Sequence, residues 1–84
     1  MYVEIREAIE VIAYFPPGGQ LRPLRFRWNG RAYKPLTVKS MRHENQGLQR
    51  TYYFSVSSKT SDFFELAFTA ADFKWQLVRM WVEG

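Results

Sequence analysis

Cysteine is absent from the 84 residues, which excludes disulfide bracing and thiolate metal sites and leaves the core to side-chain packing. Histidine occurs once, at His43 beside an expected turn, so a nucleophile activated by a buried imidazole has little to be built from. The acidic residues stand singly along different segments, without the converging His or carboxylate ligands that a metal centre needs. Pro16-Pro17-Gly18-Gly19 lacks the lysine and the following helix of a phosphate-binding loop, and reads simply as a turn. No apolar run approaches the ~18 residues of a membrane-spanning helix. The opening Met-Tyr-Val-Glu-Ile-Arg-Glu has no basic region followed by an apolar stretch, so no secretory signal is expected and a cytoplasmic location is the default. Neither enzymatic activity, nor a cofactor, nor a metal is expected.

Aromatic side chains are abundant instead, at 18% of the chain, and each buries on the order of 150–250 Å², enough to close a core in a chain this short. Residues 1–84 are expected to form a single domain, because so few residues cannot support two cores. The richness in aromatic and β-branched residues favours strands. Between Val3 and Phe15 the odd positions are apolar except Glu7, and strand periodicity is clearer over 8–15 than over 1–7, where a helical reading also fits. Leu24, Phe26 and Trp28 alternate with Arg25, Arg27 and Asn29, and Asn29-Gly30 suits a type I′ hairpin turn. A return strand from Arg31 to about His43 carries Pro35 as an edge or bulge marker, and Glu44-Asn45-Gln46-Gly47 is the next turn. Strands follow over Thr51–Ser57, Phe63–Thr69 and Phe73 to about Val82, with a polar loop at Ser58–Asp62. The expected fold is all-β: about six antiparallel strands in a meander that curls into a small barrel or a strongly twisted sheet.

The net charge of +4 is concentrated in the middle third. Residues 20–50 hold Arg22, Arg25, Arg27, Arg31, Lys34, Lys39, Arg42 and Arg50 against Glu44 alone, a balance of +7. A two-residue turn at Asn29-Gly30 sets Trp28 opposite Arg31, Arg27 opposite Ala32, Phe26 opposite Tyr33 and Arg25 opposite Lys34. One face then carries Trp28, Phe26, Tyr33 and Arg31, and the other gathers Arg25, Arg27 and Lys34. Like charges directly opposed on a sheet are unfavourable by ~0.2–1 kcal/mol, so the cluster implies a counter-charge. Glu10 on the preceding strand is one source, as an ordinary exposed ion pair with Arg25 or Arg27. The phosphates of a nucleic acid are the other, with Trp28 or Tyr33 offered for base stacking. Arg25, Arg27, Arg31, Lys34, Trp28 and Tyr33 are therefore the candidate binding residues of a non-enzymatic binding or adaptor module.

In the last strand only Arg79 is polar between Leu77 and Val82. A strand apolar on both faces needs two covers, and either the N-terminal segment or a partner supplies the second. Val78, Met80 and Val82 are the candidate interface of the rival reading, a self-associating domain such as a homodimer. Arg79 calls for a carboxylate or an aromatic face, with Glu65 the candidate partner and Trp75 or Trp81 the candidate rings.

At Trp28-Asn29-Gly30-Arg31-Ala32-Tyr33 and at Trp75-Gln76-Leu77-Val78-Arg79-Met80-Trp81 the chain resembles a family of short bacterial domains of unknown function. These share an opening strand, a W-x-G-R-x-Y hairpin, a Tyr/Glu-rich centre and a closing W-x-L-x-R-x-W strand. The resemblance spans about Ala8 to Trp81. Pro35 departs from the small aliphatic residue expected after the hairpin tyrosine, which marks that strand as irregular. Some relatives, the resemblance implies, are encoded near genes of DNA repair and mutagenic polymerases, which points toward nucleic acid or a repair complex and supplies no catalytic residue.

Overall fold

The computed structural model describes residues 1–59 and 62–82, and these form eight strands and no helix. They are β1 (Tyr2–Ala8), β2 (Glu10–Tyr14), β3 (Arg22–Trp28), β4 (Arg31–Tyr33), β5 (Thr37–Gln46), β6 (Gln49–Ser57), β7 (Phe63–Thr69) and β8 (Lys74–Trp81). All pairings are antiparallel, in a five-stranded sheet of order β1-β8-β7-β6-β5 and a three-stranded sheet of order β2-β3-β4. The all-β expectation holds, with two corrections. The strands number eight rather than about six, and the sheets do not close into a barrel. The N-terminal row splits into β1 and β2, which belong to different sheets, and the return strand beginning at Arg31 stops at Tyr33 and resumes at Thr37. Pro35, with no N–H to donate, lies in that gap. Of the polar loop expected at Ser58–Asp62, Thr60 and Ser61 lie outside the described residues.

Aromatic packing joins the sheets. Phe26 of β3 stacks on Tyr33 of β4 (4.8 Å between centroids, 14° between planes), and both meet the edge of Phe64 on β7. Phe54, Val56, Leu66, Phe68 and Leu77 complete the buried cluster, with Ile9, Val11, Trp28 and Trp75 packed around it. A phenyl ring fully withdrawn from water contributes about 1.5–3 kcal/mol, and the contact of Phe26 with Phe64 places two such rings across the gap between the sheets.

Three turns follow from residue type. Asn29 (φ 52°) and Gly30 (φ 74°) both take positive φ, the requirement of a type I′ turn, and the hairpin register is Trp28 to Arg31, Arg27 to Ala32, Phe26 to Tyr33. The β5–β6 reversal lies at Gly47-Leu48 rather than over Glu44–Gly47, because β5 continues through Gln46 paired with Gln49. Between β2 and β3, the Gly19 N–H donates to the Pro16 carbonyl (3.1 Å) around Gly18 at φ 69°, a turn with proline second and glycine third.

Three bulges reset which side chains face inward, one of them at Lys39 of β5, between Val38 opposite Val56 and Ser40 opposite Ser55. On β3, Ile12 pairs with Arg25 but Ala13 pairs with Pro23, so Leu24 is the extra residue. Pro23 and Phe26 are consequently buried, whereas Leu24, placed on the inner row by strict alternation, is exposed. On β8, Arg79 pairs with Glu65 and Leu77 with Leu66, which makes Val78 the extra residue. β1 is irregular at the same level, between Glu4 opposite Arg79 and Glu7 opposite Leu77.

Candidate nucleic-acid interface

Regular alternation along β2 sends Val11 and Ala13 toward the core and Glu10, Ile12 and Tyr14 outward. Across the ladder the outward row of β3 is Arg27 opposite Glu10, Arg25 opposite Ile12, and Arg22 opposite Tyr14. Ala32 of β4 continues the face beyond Arg27. The outer surface of the small sheet thus holds three arginines, one carboxylate, and the exposed side chains of Ile12 and Tyr14. A shallow hollow of about 200 Å³ lies among Glu10, Ile12, Arg25 and Arg27. The Arg22 guanidinium carbon sits 5.3 Å from the Tyr14 ring centre. No ion pair within 4 Å reaches Arg22, Arg25 or Arg27 among the described residues, although Glu10 is the direct ladder neighbour of Arg27.

The candidate residues from the sequence divide between the two faces. Arg25 and Arg27 come together on the outer face as expected. Lys34 does not join them in the ladder, because β4 ends at Tyr33. Arg31 shares the side of Trp28, its guanidinium 5.2 Å from the Tyr33 ring. The two rings offered for base stacking are engaged inside: Tyr33 lies on Phe26, and Trp28 packs at the core margin while its Nε1 donates to Glu7 Oε1 (3.2 Å). Arg22 and Tyr14 were missed by the sequence pattern. Arg22 shares the parity of Phe26, and only the bulge at Leu24 carries it to the outer row. Pro23 was the available signal, since a proline inside a strand marks a bulge or an edge.

The candidate interface on β8 is placed differently from the expectation of an open strand. Both edges of β8 are hydrogen-bonded, to β1 and to β7, so the N-terminal segment lies beside the strand in the same sheet and not over its second face. Val78 is only 3% exposed and so offers no open surface, whereas Met80 is half-buried against the core cluster. Val82 follows the strand, its N–H donating to the Met1 carbonyl (2.8 Å).

Arg79 has the partner expected from the sequence: its Nε lies 3.3 Å from Glu65 Oε1, with Glu4 Oε1 at 3.5 Å on its other side. Its aromatic neighbour is Tyr2 (5.6 Å) rather than Trp75 or Trp81. Arg42 reaches Glu65 (3.9 Å) and Glu44 (2.7 Å) across the Tyr53 ring, so charges alternate from β1 to β5 over the outer face of the large sheet. Arg42 and Arg79 are thus both ion-paired on that face. Comparisons with protein-family models, curated proteins and solved structures return no match.

Proposed function

We propose that the chain is a non-enzymatic binding module whose small sheet contacts single-stranded nucleic acid through its outer face. The supporting observation is the contrast between the two outer surfaces: the large sheet pairs each of Arg42 and Arg79 with carboxylates, whereas Arg22, Arg25 and Arg27 share a face with Glu10 alone. Guanidinium groups without internal partners suit phosphate oxygens, which they bind in a planar, paired geometry. Tyr14, exposed beside Arg22, supplies the ring on which a base stacks. A sheet face with a row of cations ending in an exposed ring accommodates splayed bases, and the motif resemblance to domains encoded near DNA-repair genes points the same way. The same surface would serve an adaptor within a repair complex.

Fluorescence anisotropy with labelled single-stranded and duplex oligonucleotides tests the reading. Three phosphate contacts on a single strand give a logarithmic salt slope of about −2, so binding weakens roughly 20-fold between about 50 and 200 mM salt. Arg22→Glu combined with Arg27→Glu abolishes binding without unfolding the domain, and Tyr14→Ala weakens it by ~1–3 kcal/mol. Absence of binding at the lower salt sinks the proposal, as does affinity indifferent to the arginine changes.

A further inference from the structure

A second concavity lies where the β2–β3 connection stands over the β5–β6 hairpin and the β7–β8 turn. It has a volume of about 510 Å³ and is lined chiefly by aromatic and aliphatic side chains. Phe68 forms its floor, with Phe73, Phe15 and Tyr52 around it at ring-centre distances of 5.6, 6.4 and 6.5 Å. Phe15 and Phe73 are 60% and 72% exposed, so two phenyl rings stand in water at one mouth. The volume falls within the ~300–1,000 Å³ typical of small-molecule sites.

The polar part of the lining sets the ligand's charge. An aromatic enclosure could hold a cation, but here Arg50 would repel one and no carboxylate lines the cleft among the described residues to offset it. Its charged group is Arg50, with the His43 ring and the Gln20 amide beside it. The Arg50 Nε donates to Asn45 Oδ1 (2.9 Å), which holds the guanidinium while its two terminal nitrogens keep no partner among the described residues. The neighbouring carboxylate of Glu44 is already taken by Arg42 at 2.7 Å. We propose that this cleft binds a small amphipathic anion, an aromatic body bearing one carboxylate or sulfonate, with the rings of Phe15, Phe68 and Phe73 around the body and Arg50 on the acid group. This site shares no residue with the arginine face of the small sheet and stands independently of the nucleic-acid proposal.

The test titrates the full chain with 8-anilinonaphthalene-1-sulfonate and with its uncharged analogue N-phenyl-1-naphthylamine, following probe fluorescence and backbone amide shifts. The sulfonate binds saturably at one site, at least about tenfold tighter than the neutral probe, with shifts centred on residues 15–21, 43–54 and 68–73. Arg50→Gln removes the preference for the charged probe, and Phe73→Ser weakens both probes about fivefold or more. Both side chains are largely exposed, so the unfolding midpoint in urea moves little, the domain stays folded in both variants, and a loss of binding reports the site. Absence of binding by either probe overturns the proposal. So does equal affinity for the two, a preference that survives Arg50→Gln, or shifts centred on the small sheet.

Discussion

At the scale of single residues, burial separates side chains that the sequence presents as alike. Leu66 and Leu48 are both leucines on hairpin segments, yet Leu66 is fully enclosed among Phe54, Phe64 and Leu77 while Leu48 is fully exposed at the β5–β6 turn. Leu66→Ala should cost about 2–5 kcal/mol through lost burial and the cavity left behind, and Leu48→Ser should stay within about 0.5 kcal/mol, both read from urea denaturation midpoints at constant m-value. The charged residues divide in the same way. Glu65 is 18% exposed and answers two arginines, one from each oxygen. Its Oε1 and the Arg79 Nε are shielded from solvent and lie off hydrogen-bond alignment, so charge alone joins them. Glu65→Gln therefore leaves a sheltered guanidinium without its nearest anion and should destabilise by about 1–3 kcal/mol. Glu44→Gln, at an exposed pair, should change stability by less than about 1 kcal/mol, and a result of equal size for the two would show that the ladder acts as one surface network.

At the scale of elements, each bulge converts a regular pattern into a different surface. The extra residue on β3 frees Arg22 to join Arg25 and Arg27, and the extra residue on β8 hides Val78 at the level where β1 is also out of step. Val78→Ser should accordingly lower stability by about 1–3 kcal/mol and leave the mass measured by light scattering unchanged. A changed mass with undiminished stability would restore the closing strand as an association surface. The Asn29-Gly30 hairpin shows the opposite case, a register set by its own turn. Both turn residues adopt positive φ, the two-residue loop leaves one pairing available, and the cross-strand partners follow from counting.

At the scale of the whole molecule, the two sheets differ in cover. The long hairpin β5–β6 runs beyond the last β6–β7 pair, Thr51 with Thr69, and residues 43–50 are exposed throughout. The Cα radius of gyration, 12.5 Å, exceeds the ~11.8 Å of a compact chain of this length, consistent with an arm that projects from the body. β7 is the middle strand of the large sheet, with Phe64, Leu66, Ala67 and Phe68 all buried. Amide hydrogen exchange should therefore be slowest in β7 and its β6 and β8 partners, and fastest over residues 43–50. Uniform protection along the hairpin would mean that something covers the arm in solution.

Composition and local pattern determined that this chain forms antiparallel strands around an aromatic core, where its basic third lies, how the Asn29-Gly30 hairpin is registered, and that Arg79 needs an anion. These properties depend on period, turn chemistry and charge, which neighbouring residues carry within themselves. That Glu65 stands opposite Arg79 follows from the extra residue Val78 in β8. Only the tertiary structure decided that residues 2–14 contribute to two sheets, that Tyr33 and Trp28 turn inward, that Arg22 turns outward, and that β8 is flanked on both edges. Each of these depends on an extra residue in one strand or on which distant strand supplies the hydrogen bonds, and a single-residue shift in pairing sends a side chain to the other face whatever its own chemistry.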